Sequence, residues 1–343
     1  MLTSKFKIII YIAIILTVLE VALEYRAYKK GWDTSLFGFK QREISTSTQS
    51  IFGPTESFPF RSPIVPPEKN NKIYRIWLSS SSYGEDVYIP ADKIFAYLLG
   101  KGISKQTSHE VQVLNASKAG FTIKNNIKDL KENGEKWKPD VVVLYQMSND
   151  ITEFSKRFLG GLNTTTDSNE IQNKLIDVQY KKSVTKIFEN TTLYSNVKSI
   201  ITPKITKARL LSETNGKDAE KEFRVRVNEF IEVAKKLGAR VVLCTFSISY
   251  DEQYFENPPS NIVNNLLRFN RYLSYKGWVE TVKSYNNIIR EIAIEKNIGL
   301  IDISKMLTGK HKYFRDFIHF TSDGHNLVSS YMVKSGQLLT IKE

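Results

Sequence analysis

Asp316 and His319, in the segment Asp316-Phe317-Ile318-His319, are the two residues whose types and spacing are best suited to chemistry. Across one turn of chain, a carboxylate can accept a hydrogen bond from Nδ1–H and leave Nε2 free to take a proton from a serine. A solvated carboxylate beside a core histidine is the plainer reading of the same residues. The pair gains weight if a serine and oxyanion donors can be brought to it. Ser79-Ser80-Ser81-Ser82-Tyr83-Gly84-Glu85-Asp86 follows an apolar run, and one of its serines could present a hydroxyl there, although serine-rich turns are common for conformational reasons alone. Asn115-Ala116-Ser117-Lys118-Ala119-Gly120 follows a second run, with a glycine whose backbone N–H can be approached closely. Met147-Ser148-Asn149-Asp150 follows a third, and Gly324-His325 precedes a last apolar helix.

The elements that would position these blocks alternate. Short apolar runs at 73–78, 111–114, 141–145, 240–245 and 298–303 read as strands. Between them lie helical patterns, with Ile94, Phe95, Leu98 and Leu99 in one and Val227, Phe230, Ile231 and Ala234 on one face of another. A third has Val282, Tyr285, Ile289 and Ile292 on one face. Strands of this kind, each followed by an amphipathic helix, predict a parallel sheet covered on both faces. Ligands bind such sheets beyond the carboxyl ends of the strands, which is where the polar blocks fall. Between about 151 and 218 the rhythm fails. That polar segment, with sequons at Asn163 and Asn190, reads as an insertion that shapes a cleft or meets a partner.

Composition narrows the class. The 343 residues are 41% hydrophobic and 25% charged, as expected of a folded protein with a sizeable core. The net charge of +13 comes from scattered Lys and Arg with no nucleic-acid motif, so nucleic acid is not an expected partner. A basic surface facing lipid headgroups or anionic glycans suits it better. The single cysteine, Cys244, allows no intrachain disulfide and lies in an apolar run that predicts a buried thiol. With no CxxC and four scattered histidines, no metal or other cofactor is expected.

At the N-terminus, Lys5-Phe6-Lys7 precedes an apolar run from Ile8 to Leu19. Such a pattern suits an uncleaved signal anchor over residues 1–30: a single-pass transmembrane helix with the bulk of the chain extracytoplasmic. Lys29 and Lys30 weigh against that orientation. Residues 31–72, with Ser-Thr-Ser-Thr at 45–48 and prolines at 54, 59, 63, 66 and 67, read as a linker. Phe52, Phe58 and Phe60 are costly to leave in water and could pack on the domain that follows, residues 73–343.

Taken in order, the polar blocks resemble the SGNH (GDSL-like) hydrolase family over roughly residues 73 to 335. Asp316-x-x-His319 matches that family's last block, Met147-Ser148-Asn149-Asp150 its third with Met147 in place of glycine, and Asn115 to Gly120 its second. Gly299-Leu300-Ile301-Asp302 also resembles the stretch before the last block. In the first block, no Gly-Asp precedes the serine. If the strand ends at Leu78, Ser79-Ser80 stand for Gly-Asp and Ser81 is the nucleophile; counting back four residues from Gly84 gives Ser80 instead.

The resemblance implies a flavodoxin-like three-layer α/β/α sandwich with a parallel central sheet. It implies a Ser81–His319–Asp316 triad, and an oxyanion hole from the Ser81 and Gly120 backbone N–H groups and the Asn149 amide. Three functions follow from it: an esterase acting on an acylated glycan or lipid outside the cytoplasm, an O-acyltransferase of an envelope polysaccharide using the same triad with envelope-biosynthesis partners, and a binding scaffold that has lost the chemistry.

Overall fold

The computed structural model describes residues 4–29, 52, 58–160 and 211–339. It divides into two units, residues 1–46 with 163–210 and residues 47–162 with 211–343. In the first, α1 (Ser4–Lys29) is one continuous helix. Lys7 and Glu20 bound its apolar stretch, which falls short of the roughly 20 apolar residues a span requires. Among the described residues, no helix is long and apolar enough to cross a membrane, so the expected transmembrane helix is not shown. Most of the expected insertion, with Asn163 and Asn190, lies outside the described residues.

The second unit contains the sheet. Its strands are β1 (Ile73–Ser79), β2 (Glu110–Asn115), β3 (Val141–Leu144), β4 (Arg240–Cys244) and β5 (Gly299–Ile301). All pairings are parallel, in the order β2-β1-β3-β4-β5. Val141 to Leu144 and Ile76 to Leu78 are fully buried, which explains why these strands read as continuous apolar runs. The intervening helices are α2 (Ser82–Glu85), α3 (Phe95–Ser104), α4 (Ile123–Trp137), α5 (Ser148–Phe154) and α6 (Lys217–Lys236). They continue with α7 (Ser260–Phe269), α8 (Tyr275–Glu295), α9 (Ile303–Leu307) and α10 (Ser322–Lys334). Helix α3 packs with α10, while α6 packs with both α4 and α8. With the right-handed crossovers that parallel strands favour, the step from β1 outward to β2 and the step back to β3 would carry these two groups to opposite faces of the sheet.

The chain reverses direction across the sheet between β1 and β3. A crevice is expected beyond the carboxyl ends of strands at such a switch point. Ser82 and Asn149 stand just past those two strand ends.

At the opposite end, the last part of the expected linker is built into the domain. Phe58 and Phe60 are buried edge-on against Trp137, and Phe60 also packs edge-on against Trp77. The buried Arg75 guanidinium donates to the carbonyls of Pro66, Pro67, Glu68 and Trp137 and to Gln112 Oε1. An arginine can be buried there because these acceptors satisfy its donors.

Candidate active site

Four serines in a row leave open, in sequence, which of them meets the histidine, and backbone pairing resolves it. Ser79 is still strand: it pairs with Leu144, and its carbonyl accepts the Tyr145 N–H at 2.9 Å. The strand is therefore one residue longer than a strand ending at Leu78, and the turn shifts by one. Ser80 and Ser81 fill the turn, and Ser81 sits at the N-cap of α2. Both are fully buried and cannot meet a substrate. Ser82, the first residue of α2, is only half-buried, and its Oγ lies 2.8 Å from His319 Nε2. The expected Ser81, and the alternative Ser80, are corrected to Ser82 as the serine that meets the histidine.

Gly84 lets this turn close. A Cβ there would run into Ser117 Oγ and lie 2.7 Å from Ser80 Cβ. The glycine thus belongs to the packing of α2 on the loop after β2.

On the other side of the imidazole, His319 Nδ1 is 2.7 Å from Asp316 Oδ2. The second carboxylate oxygen of Asp316 accepts the backbone N–H groups of Ile318 and His319, at 2.9 and 2.8 Å. Burial opposes ionisation of Asp316, but the bonds from the His319 ring and from these two N–H groups outweigh it and hold its pKa below the ordinary carboxylate value. An ionised carboxylate only accepts, so Nδ1 carries the ring proton and Nε2 offers its lone pair to the Ser82 hydroxyl. Ser82, His319 and Asp316 form a continuous hydrogen-bonded line.

Ser82, Gly120, Asn149 and His319 all line one cleft of about 510 Å³. The Asn149 amide donates one hydrogen to the Phe121 carbonyl at 2.8 Å, leaving its second N–H. Gly120, at φ 80°, occupies a backbone conformation that suits glycine. Asp150 takes no part in the cleft. It is fully buried and accepts Ile123 N–H at the start of α4, the Gln146 amide and the Arg226 guanidinium. It ties α5 to α4 and α6. Burial pushes its pKa up to about 6. His325 stacks on Phe95 inside the domain, and Cys244 is buried with its thiol pKa pushed well up by burial.

Sequence reasoning missed the far wall of the cleft. Leu266 and Phe269 from α7 join Trp278, Phe317 and Ile318 there. Phe317 packs against Phe269 and Trp278, with ring centroids 5.8 and 5.6 Å apart. Ile262, Leu266 and Phe269, spaced four and three apart, are the helical signal that could have announced this wall.

A model of the family described as GDSL-like Lipase/Acylhydrolase matches residues 82–332. Among solved structures, the chain is similar to a lipase/acylhydrolase from Enterococcus faecalis, at 16% identity with a TM-score of 0.44, covering 77% of this chain and 95% of that one. It is also similar to Axe2, an acetylxylan esterase from Geobacillus stearothermophilus, at 12% identity with a TM-score of 0.46, covering 76% and 93%. No curated protein sequence matches it.

Proposed function

The chain belongs to the GDSL-like lipase/acylhydrolase family and is an ester hydrolase, and we propose that it works through Ser82, His319 and Asp316 on an acylated lipid or glycan outside the cytoplasm. The observation that carries the mechanism is the 2.8 Å contact between Ser82 Oγ and His319 Nε2, backed at 2.7 Å by Asp316. In this reading Ser82 Oγ attacks the ester carbonyl carbon and its proton passes to His319 Nε2. The C–O bond to the alcohol then breaks, and His319 returns the proton to the leaving alkoxide. Water, deprotonated by the same imidazole, then attacks the acyl carbon; the bond to Ser82 Oγ breaks, the acid leaves, and the imidazole returns the proton to Oγ.

The oxyanion formed in each half falls to the Ser82 and Gly120 backbone N–H groups and to the second N–H of Asn149. Donors of this kind, fixed before the reaction, lower the barrier because they need no reorganisation as charge develops. The apolar wall of Leu266, Phe269, Trp278 and Phe317 supports a substrate with a hydrocarbon arm.

The extracytoplasmic setting is part of the same proposal and is supported by the Lys5–Lys7 flank and apolar run of α1. Fractionation of the full chain tests it: a protein recovered wholly in the cytosolic fraction would contradict it. Turnover of p-nitrophenyl esters, abolished in Ser82→Ala and retained in Ser81→Ala, is the test of the chemistry. Turnover that appears only when a sugar hydroxyl is supplied as acceptor would instead assign acyl transfer through the same acyl-serine.

A further inference from the structure

Asp86, the residue that ends α2, has φ of 35°, a left-handed conformation uncommon for an aspartate, and its side chain is fully buried. Its backbone N–H donates to the Ser82 carbonyl at 2.8 Å, and Arg61 Nη2 reaches its own carbonyl at 3.3 Å. Its carboxylate receives two further residues. Arg315 Nη2 lies 2.6 and 2.7 Å from the two oxygens, and His325 Nε2 lies 3.0 Å from Oδ2. His325 Nδ1 accepts the Phe95 N–H at 3.1 Å, so the ring proton sits on Nε2 and points at Asp86. The guanidinium goes on to hold the triad loop. Its Nε donates to the Phe320 carbonyl at 2.7 Å, and the Arg315 backbone N–H donates to the His319 carbonyl at 2.7 Å.

Asp316 orients the imidazole within its own loop but does not set where that loop stands relative to α2. From the β4 side the loop is held by Ser249 N–H on the Phe317 carbonyl. From the serine side it is held by Asp86 and Arg315. We propose that Asp86 is a positioning residue that, through Arg315, holds the His319 loop at hydrogen-bonding distance from Ser82. This rests on the Ser82–His319–Asp316 reading above. Asparagine does not reproduce Asp86: with its oxygen at the Oδ2 position, where it meets both Arg315 and His325, its NH₂ takes the Oδ1 position 2.6 Å from Arg315 Nη2, and the charge that holds the guanidinium is gone.

The test uses the full chain with Asp86→Asn, Arg315→Gln, the double variant and Ser82→Ala, each assayed with p-nitrophenyl acetate and a fluorophosphonate probe. A displacement of the loop by about 1 Å is expected to lower kcat and the labelling rate by about tenfold to a hundredfold, with KM within about twofold. The double variant is expected to be no slower than the worse single one, because both changes break one clamp. A purely structural role would lower the melting temperature and leave kcat per folded molecule unchanged, and that result would overturn the proposal. So would losses that multiply in the double variant. If Asp86→Asn does not fold, Arg315→Gln decides alone, since that side chain is 31% exposed. Labelling that survives Ser82→Ala would sink the triad reading itself. Labelling lost in Ser82→Ala but within twofold of wild type in Arg315→Gln would sink only the clamp.

Discussion

Ser82 Oγ and His319 Nε2 stand 2.8 Å apart although 237 positions separate them in the chain. The sheet order brings them together. Ser82 follows the strand on one side of the switch point, and the loop bearing His319 is tied back by Arg315 to the helix that Ser82 begins. The serine is the first helical residue of α2, so its backbone N–H is one of the donors a helix start leaves unpaired. In the proposed mechanism the same residue thus serves as both nucleophile and oxyanion donor.

Asp316→Asn leaves the loop with an amide where the imidazole needs a pure acceptor, so Nδ1 and Nε2 are free to exchange roles. In a serine protease the equivalent change costs about 10⁴-fold in kcat. Here kcat is expected to fall by about 10³-fold to 10⁴-fold, with the fold intact by circular dichroism. A variant within tenfold of wild type would show that the bonds from Ile318 and His319 backbone N–H groups are the main role of Asp316.

Asn149→Ala removes one proposed oxyanion donor and also the bond to the Phe121 carbonyl. Steady-state kinetics are expected to show kcat lower by about a hundredfold to a thousandfold, with KM little changed. A loss within about threefold would remove Asn149 from the hole.

The wall formed by α7 predicts chain-length selectivity. Each buried methylene contributes roughly 0.8 kcal/mol, about fourfold in kcat/KM, until the cleft is filled. Across p-nitrophenyl esters of increasing acyl length, kcat/KM is expected to climb in the wild type and to flatten in Leu266→Ala and Phe269→Ala. Equal slopes in wild type and variants would exclude this wall from substrate contact.

Asp150 gives a pH signature of its own. Its folded pKa, about 6, is raised above the ordinary 3.8. Between those values the folded state keeps a proton that the unfolded chain has released, so this group's contribution to stability declines as pH rises through the window. The stability difference between wild type and Asp150→Asn, from urea unfolding, should fall by roughly 2 kcal/mol from pH 4 to pH 7. A difference that stays flat, or grows with pH, would contradict the raised pKa.

The strands, the helix faces and the Asp316–His319 pair were legible because each is written in a short stretch of sequence. The strands Val141–Leu144 and, past its first residue, Arg240–Cys244 are buried, and a spacing of three suffices for a carboxylate to meet Nδ1 in the same loop. Which serine meets His319 was not legible. Four identical side chains carry no internal register, and the one-residue extension of β1 to Ser79 depends on a backbone bond from Tyr145. Asp86 and Arg315 were illegible for a related reason. They are 229 positions apart, and each alone reads as a solvated charge. The apolar run of α1 could be read directly. Crossing a membrane needs more uninterrupted length than the stretch between Lys7 and Glu20 provides.

The most direct measurement is the site of covalent attachment. The protein is labelled with a fluorophosphonate, digested, and the modified peptide sequenced by mass spectrometry, with Ser81→Ala and Ser82→Ala alongside. The geometry predicts a single adduct on Ser82, retained in Ser81→Ala and absent from Ser82→Ala and His319→Ala. An adduct on Ser81 or Ser80, or none on a folded chain, would contradict the account at its centre.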